Sequence, residues 1–340
     1  MHAERGQGYE RLVELIIGAK IAAALHVVVD KRFADLLAQG PQTADALAQA
    51  AQVPVDTPRR FLRALAQVGL FAEVEEGVFA NTGVSEHLRS DVPYSLRNMV
   101  TVLDDEAVAR GWQHLPNVLA SGQPAFDAVN GMGFFDWIKA DPGRSAAMAS
   151  FMGGIYGLQG PKIAAGYPFG RFTTLIDVGG GNGHVLAAIL AHYPELRGAL
   201  FDLPATADVA RRFLAERGLT ARSEVFDGDF FDSVPRGYDA YMVKSCLHDW
   251  QNTKAVEILR RCREAMPDHG RVLIVEIVLA PGRPIGHPHR LIDLEMMVTL
   301  GGKERSEQEF AALLTEAGLR STTVTPIVGS FFSVVEAAAA

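Results

Sequence analysis

The residues best placed to do chemistry begin with Asp177-Val178-Gly179-Gly180-Gly181-Asn182-Gly183, which follows an apolar run and opens a helical one. Glycine is needed where a ligand must approach main chain closely and a side chain would obstruct it, so this segment implies a nucleotide-like cofactor. A glycine-rich strand-to-helix turn is a weak signal by itself, because dinucleotide dehydrogenases use one as well. Here the third glycine of their G-x-G-x-x-G pattern falls on His184, whose side chain would disturb close helix–strand packing, and that counts against NAD. Asp202 ends the next strand, where an acid can accept hydrogen bonds from two ribose hydroxyls. Gly228-Asp229-Phe230-Phe231 ends another and offers an acceptor for an adenine amino group beside an aromatic face. Lys244 and Ser245 end a further strand, His248 lies just past them, and Glu276 closes the apolar run Val272 to Val275.

These positions meet only if the strands that carry them are parallel neighbours. Leu175-Ile176-Asp177-Val178, Gly198-Ala199-Leu200-Phe201, Ala240-Tyr241-Met242-Val243 and Val272-Leu273-Ile274-Val275 are apolar or nearly so, as strands covered on both faces must be. Gly183 to Tyr193, Ala205 to Arg217 and Asn252 to Met266 are long enough to be crossover helices. A doubly wound α/β sheet of Rossmann-like type follows, with all its ligand-bearing strand ends on one edge.

The first half differs in texture: from Tyr9 to Met152 apolar residues recur at three- and four-residue spacing, which predicts helices. Within it Thr43 can cap a helix, Thr57-Pro58 opens a second carrying Phe61, Leu62, Leu65 and Val68, and Phe71 to Ala80 reads as a hairpin with an acidic turn. Together these form a winged-helix pattern. The glycine-rich stretch Phe151 to Phe172 is read as the junction, giving domains at 1–150 and 151–340. Ile16 to Val29 reads as a buried helix, interrupted by Lys20 and His26, and no apolar run is expected to span a bilayer. The tail Ala337 to Ala340 is of low complexity.

The 340 residues, 48% hydrophobic and 21% charged, have the composition of an ordinary globular chain with a substantial core. A net charge of −8 opposes binding to a polyanion, so nucleic acid is not an expected partner. A winged helix can bind DNA, and Arg59, Arg60 and Arg63 lie on its second helix, but the acidic wing at Glu73, Glu75 and Glu76 opposes that reading. Two cysteines, Cys246 and Cys262, are too few for a disulfide framework or zinc ribbon and fit a reducing, cytoplasmic setting. No metal is expected, and His287-Pro288-His289 reads as an exposed loop.

In order and spacing, Asp177 to Gly183, Phe201-Asp202-Leu203-Pro204, Gly228-Asp229-Phe230, Lys244-Ser245-Cys246-Leu247-His248-Asp249-Trp250 and Gly301-Gly302-Lys303-Glu304-Arg305-Ser306 resemble the small-molecule O-methyltransferases of the plant caffeate and isoflavone type and their bacterial natural-product relatives. The resemblance covers the whole catalytic half and implies S-adenosylmethionine (SAM) as cofactor. It also implies a homodimer through the helical domain, a small aromatic or polyketide-like acceptor, and SAM contacts at Gly179, Asp202, Asp229, Phe230 and Lys244. Asp177, Gly181, Leu203 and Ser245 complete the expected cofactor set.

Methyl transfer from a sulfonium is an in-line displacement, which requires alignment of the acceptor and removal of its hydroxyl proton. A histidine, with an unperturbed pKa of about 6.5, suits the removal, and His248 is the expected base. Glu276 and Glu304 stand where the family places acidic partners of that base; Asp249 reads as a cap for the helix starting near Trp250. The family's acceptor pocket draws on the segments holding Met148, Met152, Met296 and Met297, with Trp250 beside them, and flexible thioethers can wrap a flat ring. Methionines at helical spacing also serve as core filler, and Glu295 is an unusual polar residue among these apolar neighbours. The same scaffold can direct transfer to nitrogen or carbon, or bind SAM without donating its methyl; a base favours a hydroxyl.

Overall fold

The computed structural model describes residues 2–280 and 289–340, with side chains described for 8–280 and 291–340. The chain forms two compact units, Met1–Ala109 with Ile138–Gly154, and Arg110–Trp137 with Ile155–Ala340.

The first unit opens with α1 (His2–Asp30), then α2 (Ala44–Ala51) and α3 (Asp56–Ala66), followed by β1 (Phe71–Glu75) and β2 (Val78–Asn81). Thr43 caps α2 as its sequence predicts, its hydroxyl accepting the Ala46 N–H at 3.2 Å. The wing is a three-stranded antiparallel sheet, because Gln42–Thr43 adds an edge to the hairpin. Leu47, Leu62, Leu65, Phe71 and Phe79 make its core. Arg63 of the second helix reaches Glu73 of the wing at 2.9 Å, so the acidic wing partners a cation that a DNA reading would need free.

Two expectations for this half change. The helix containing Ile16 to Val29 is not buried within one chain: only Val28 and Val29 are, while Leu12, Leu15 and Ile16 are 56%, 62% and 64% exposed. The stretch Gly8–Asp30 is moreover long and apolar enough, by length and composition, to cross a membrane, since Lys20 and His26 do not break its average. The glycine-rich junction is likewise no linker. Its larger part, Phe151 to Gly166, belongs to one continuous helix, α4 (Pro142–Gly166), with Pro161 inside it. Its glycines serve close approach: a Cβ on Gly160 would lie 3.1 Å from the Ala188 Cβ, and one on Gly166 would lie 2.8 Å from Ile327.

The second unit is built on β3 (Thr174–Val178), α5 (His184–His192), β4 (Arg197–Asp202), α6 (Pro204–Glu216), β5 (Ser223–Asp227), β6 (Ala240–Lys244), α7 (Asn252–Ala265) and β7 (Arg271–Glu276). It continues through α8 (His289–Thr299), α9 (Glu307–Glu316), β8 (Leu319–Pro326) and β9 (Ser333–Ala339). The seven-stranded sheet runs β8-β9-β7-β6-β3-β4-β5, parallel except for β9. Strand residues alternate between its faces, Ile176, Tyr241, Val243 and Ile274 on one and Leu175, Met242, Leu273 and Val275 on the other, so every expected apolar run is buried on both sides. Ala337 to Ala339 of the low-complexity tail belong to β9: Ala337 is fully buried and paired on both edges, Ala338 and Ala339 on one. Residues 110–137 pack with this unit and not at a boundary near 150: Ala125 donates its N–H to the Val298 carbonyl at 3.0 Å, and Trp112 bonds Glu295.

From β3 the chain winds outward through β4 and β5, then returns to build β6 and β7 on the other side. The reversal between β3 and β6 is the topological switch point where ligands of such sheets bind, outside the carboxyl ends of the strands.

Candidate active site

At the end of β3 the chain turns through Gly179, Gly181 and Gly183, whose φ of +69°, +59° and +81° lie in the left-handed region that favours glycine. A Cβ on Gly181 would meet nothing within 4 Å, so the turn borders open space. The Asp202 carboxylate braces it from the neighbouring strand: one oxygen accepts the Gly181 N–H at 2.8 Å, the other the Leu203 N–H at 2.7 Å. Phe230 and Cys246 close the other side, within 3.5 and 3.3 Å of the place a Gly179 Cβ would occupy. Lys244 ends β6 buried, its ammonium over the Tyr156 ring. Ser245 follows at φ +45° with its hydroxyl buried and unpartnered.

Asp177 is fully buried, and neither carboxylate oxygen has a hydrogen-bond partner among the described residues. Burial pushes its pKa up to about 7 against the pull of Lys244. Orphaned carboxylate oxygens beside an open glycine turn, with a braced acid on the next strand, fit a ligand carrying an ammonium group and a ribose. Asp229 is more exposed and spends one oxygen on the Phe231 N–H at 2.8 Å; Leu203 is exposed. Trp250 packs edge-on against Phe230 and Phe231, 6.4 and 5.0 Å between centroids, while Met296 and Met297 belong to another element. Those two are partly buried on α8, while Met148 and Met152 belong to the first unit.

The histidine cluster assembles from separate elements. His248 lies in the short 3-10 turn Leu247–Asp249 that follows β6. Its Nδ1 is 2.7 Å from Glu304 Oε1 and 3.8 Å from Glu276 Oε2. Glu276, at the end of β7, accepts the Cys246 and Leu247 N–H groups at 2.9 and 3.0 Å, so it also fixes the turn. Asp249 does not cap α7, which starts at Asn252 with Gln251 as its N-cap; the 3-10 turn points the Asp249 carboxylate inward, 3.4 Å from His248 Nε2. Ligand-capable atoms of His248, Glu276 and Glu304 lie within 4.8 Å of one another, a spacing that would admit a metal ion as well as the Nδ1–Oε1 hydrogen bond. His287, Pro288 and the His289 side chain lie outside the described residues.

This arrangement corrects the ordinary histidine pKa expected from sequence. Burial works against the imidazolium, but the Glu276 and Asp249 charges and the Glu304 hydrogen bond outweigh it and hold His248 well above its usual range. Burial, with the neighbouring acids, also pushes Asp249 up to about 7.

Two further residues were missed in the sequence. Arg305 is fully buried, yet donates to no carboxylate among the described residues: it bonds the Leu247 and Trp250 carbonyls at 2.8 and 2.7 Å and Asn252 Oδ1 at 3.1 Å, clamping the turn that carries His248. Gly302 lets its segment lie against that turn, where Lys303 donates its N–H to the His248 carbonyl at 2.9 Å. The signals were present: a glycine pair before Lys303-Glu304-Arg305, then the capping box Ser306 to Glu309 that starts α9.

Family models match both halves, an O-methyltransferase dimerisation domain over residues 13–91 and an O-methyltransferase domain over 112–320. The mitomycin biosynthesis 6-O-methyltransferase of Streptomyces lavendulae is 36% identical over 335 residues, 98% of this chain and 95% of that protein. A phenazine O-methyltransferase of Lysobacter antibioticus is 36% identical over 328 residues, covering 96% and 95%. An O-methyltransferase of neocarzinostatin biosynthesis, solved with SAM and 2-hydroxy-5-methyl naphthoic acid, superposes with a TM-score of 0.80 at 36% identity over 94% of this chain and 96% of that one. With the switch-point turn, the braced acid and the histidine cluster in the family's order, the chain belongs to the SAM-dependent O-methyltransferases.

Proposed function

We propose that His248 is the general base for methylation of a hydroxyl on a small aromatic or polyketide-like acceptor. The observation that carries this is the 2.7 Å contact of His248 Nδ1 with Glu304, which commits that nitrogen and assigns the acceptor's proton to Nε2, where the Asp249 carboxylate, 3.4 Å away, would favour the charge that forms. Glu304 orients the ring and stabilises its charge; Glu276 adds charge and holds the turn. Bound SAM supplies an electrophilic methyl on a sulfonium, released as S-adenosylhomocysteine. As the hydroxyl proton passes to Nε2, the oxygen is free to form the new carbon–oxygen bond. Incubation with SAM and a panel of phenols, polyketides and amines should give S-adenosylhomocysteine and a product heavier by one CH2, on oxygen. S-adenosylhomocysteine without methylated product would contradict the reading.

For the cofactor, Asp202 is assigned the ribose hydroxyls, the Gly179–Gly181 turn the approach of the ligand to main chain, Asp177 and Lys244 the charged end, and Phe230 with Trp250 the adenine side. Asp229 is assigned the adenine amino group, with Leu203 and Ser245 flanking. Asp202→Ala removes a charge-assisted acceptor worth about 1.5–3 kcal/mol, so calorimetry should find SAM bound about 10- to 150-fold more weakly. Unchanged affinity would place the ribose elsewhere.

The exposed apolar face of α1, Leu12 to Ile17, lies in the dimerisation-domain match and is assigned to a second copy of this chain. Light scattering of the full-length protein should give twice the 36.7 kDa chain mass at micromolar concentration. A monomer there would leave that face unexplained. Two buried free thiols, Cys246 and Cys262, accord with a cytoplasmic enzyme.

A further inference from the structure

Glu295 sits in α8 between Leu294 and Met296, partly buried. One oxygen accepts the Trp112 indole N–H at 2.7 Å. Neither a cation nor a second hydrogen-bond partner reaches it among the described side chains. Burial raises its pKa against the pull of the Trp112 hydrogen bond. A carboxylate kept from water without a cation is destabilising, and a glutamine would accept the same indole N–H without that cost. An acid retained in such surroundings points to a partner that comes and goes.

Its place fits an acceptor. Asp293, two residues earlier, accepts the Glu304 N–H at 2.8 Å, so α8 abuts the segment carrying the base's partner. At about 100° per residue, Met296 lies about 60° from Asp293 and about 100° from Glu295 around the helix. A flat molecule along Met296, with its reacting hydroxyl toward the His248 cluster, would therefore bring its far edge to Glu295. Trp112 holds the carboxylate in one rotamer and leaves the second oxygen for that edge.

We propose that Glu295 is a specificity-determining residue that accepts a hydrogen bond from an amine or hydroxyl of the acceptor, remote from the methylated hydroxyl, and so selects donor-bearing aromatics over aromatic carboxylates. This rests on the methyl-transfer reading above. A site built to bond a donor discriminates strongly against an analogue that lacks it, and a fixed carboxylate repels a second one.

The test compares three acceptors on the full-length enzyme: 1-naphthol, 5-amino-1-naphthol and 5-hydroxy-1-naphthoic acid. Two readouts are taken, kcat/KM with SAM and calorimetric Kd with protein saturated in S-adenosylhomocysteine. Wild type should favour the amine over 1-naphthol, and 1-naphthol over the acid, by about tenfold or more at each step. Glu295→Leu should bring all three within about twofold, while Glu295→Gln should keep part of the amine preference and lose the exclusion of the acid. Trp112→Phe frees the carboxylate's rotamer and should weaken both preferences without abolishing them. An amine bound no tighter than 1-naphthol by wild type, or ratios unchanged in Glu295→Leu, would overturn the proposal. If the amine preference appears in Kd but no probe is methylated, the failure lies with the methyl-transfer reading and not with Glu295.

Discussion

His248→Ala is expected to lower turnover by about 10²- to 10⁴-fold, the usual range for loss of a general base, while SAM affinity stays within about twofold. The separation follows from where the parts sit. The assigned cofactor groups lie past the ends of β3, β4, β5 and β6, with Trp250 packed on Phe230, whereas the imidazole contacts Glu304, Glu276 and Asp249. Glu304→Gln should lose less, because an amide can still accept the Nδ1 hydrogen bond but no longer offsets the charge formed on the ring. Steady-state kinetics with calorimetry decides this. A variant retaining more than about half the wild-type rate would demote His248 to a structural residue and leave an acceptor that arrives deprotonated.

Gly302→Ala is expected to cost nearly as much although it removes no functional group. A Cβ there would overlap the His248 carbonyl oxygen and come 2.6 Å from the Asp249 carbonyl carbon. Both neighbours are backbone, so nothing can swing aside. The turn with His248 and Asp249 must move away from Glu304, or the Gly301–Arg305 segment must lift, which also strains the Arg305 clamp. Overpacking of this kind costs about 1–3 kcal/mol, and displacing a catalytic group by about 1 Å can cost about 10²-fold in rate. A lower melting temperature, turnover down by about 10²-fold and nearly unchanged SAM affinity are the expected results. Activity within about twofold of wild type would mean that the two segments do not approach each other so closely.

The catalytic half was legible because its physics is written in local patterns. Strands buried on both faces appear as apolar runs such as Leu273 to Val275, and residues that end them, Asp202, Lys244 and Glu276, necessarily share one edge of a parallel sheet. What escaped depends on contacts distant in sequence. The glycines of α4 look like breaks, and only their neighbours Ala188 and Ile327 show them to be close-packing positions. Asp249 looks like a helix cap until the 3-10 turn aims it at the imidazole. Arg305 looks like a surface cation until carbonyls from Leu247 and Trp250 surround it. The β8–β9 pair was hidden because β8 is a largely exposed edge strand and β9 ends in alanines with no strand signature. The histidine's proton affinity could not be read at all, since it is the sum of three carboxylates brought from separate segments.

That proton affinity makes the central claim measurable. An imidazole that holds its proton more tightly than an ordinary histidine gives it up at higher pH, and only its neutral form can take the acceptor's proton. The pH profile of kcat/KM should therefore rise through neutrality and keep rising above about pH 6.5, the ordinary histidine value. Glu304→Gln removes one negative charge from the ring, so its rising limb should move to lower pH although its maximum is smaller. The same limb should vanish in His248→Ala when the acceptor's own ionisation lies outside the range. A limb that stays in place in Glu304→Gln and persists in His248→Ala would belong to another group, and His248 would not be the base.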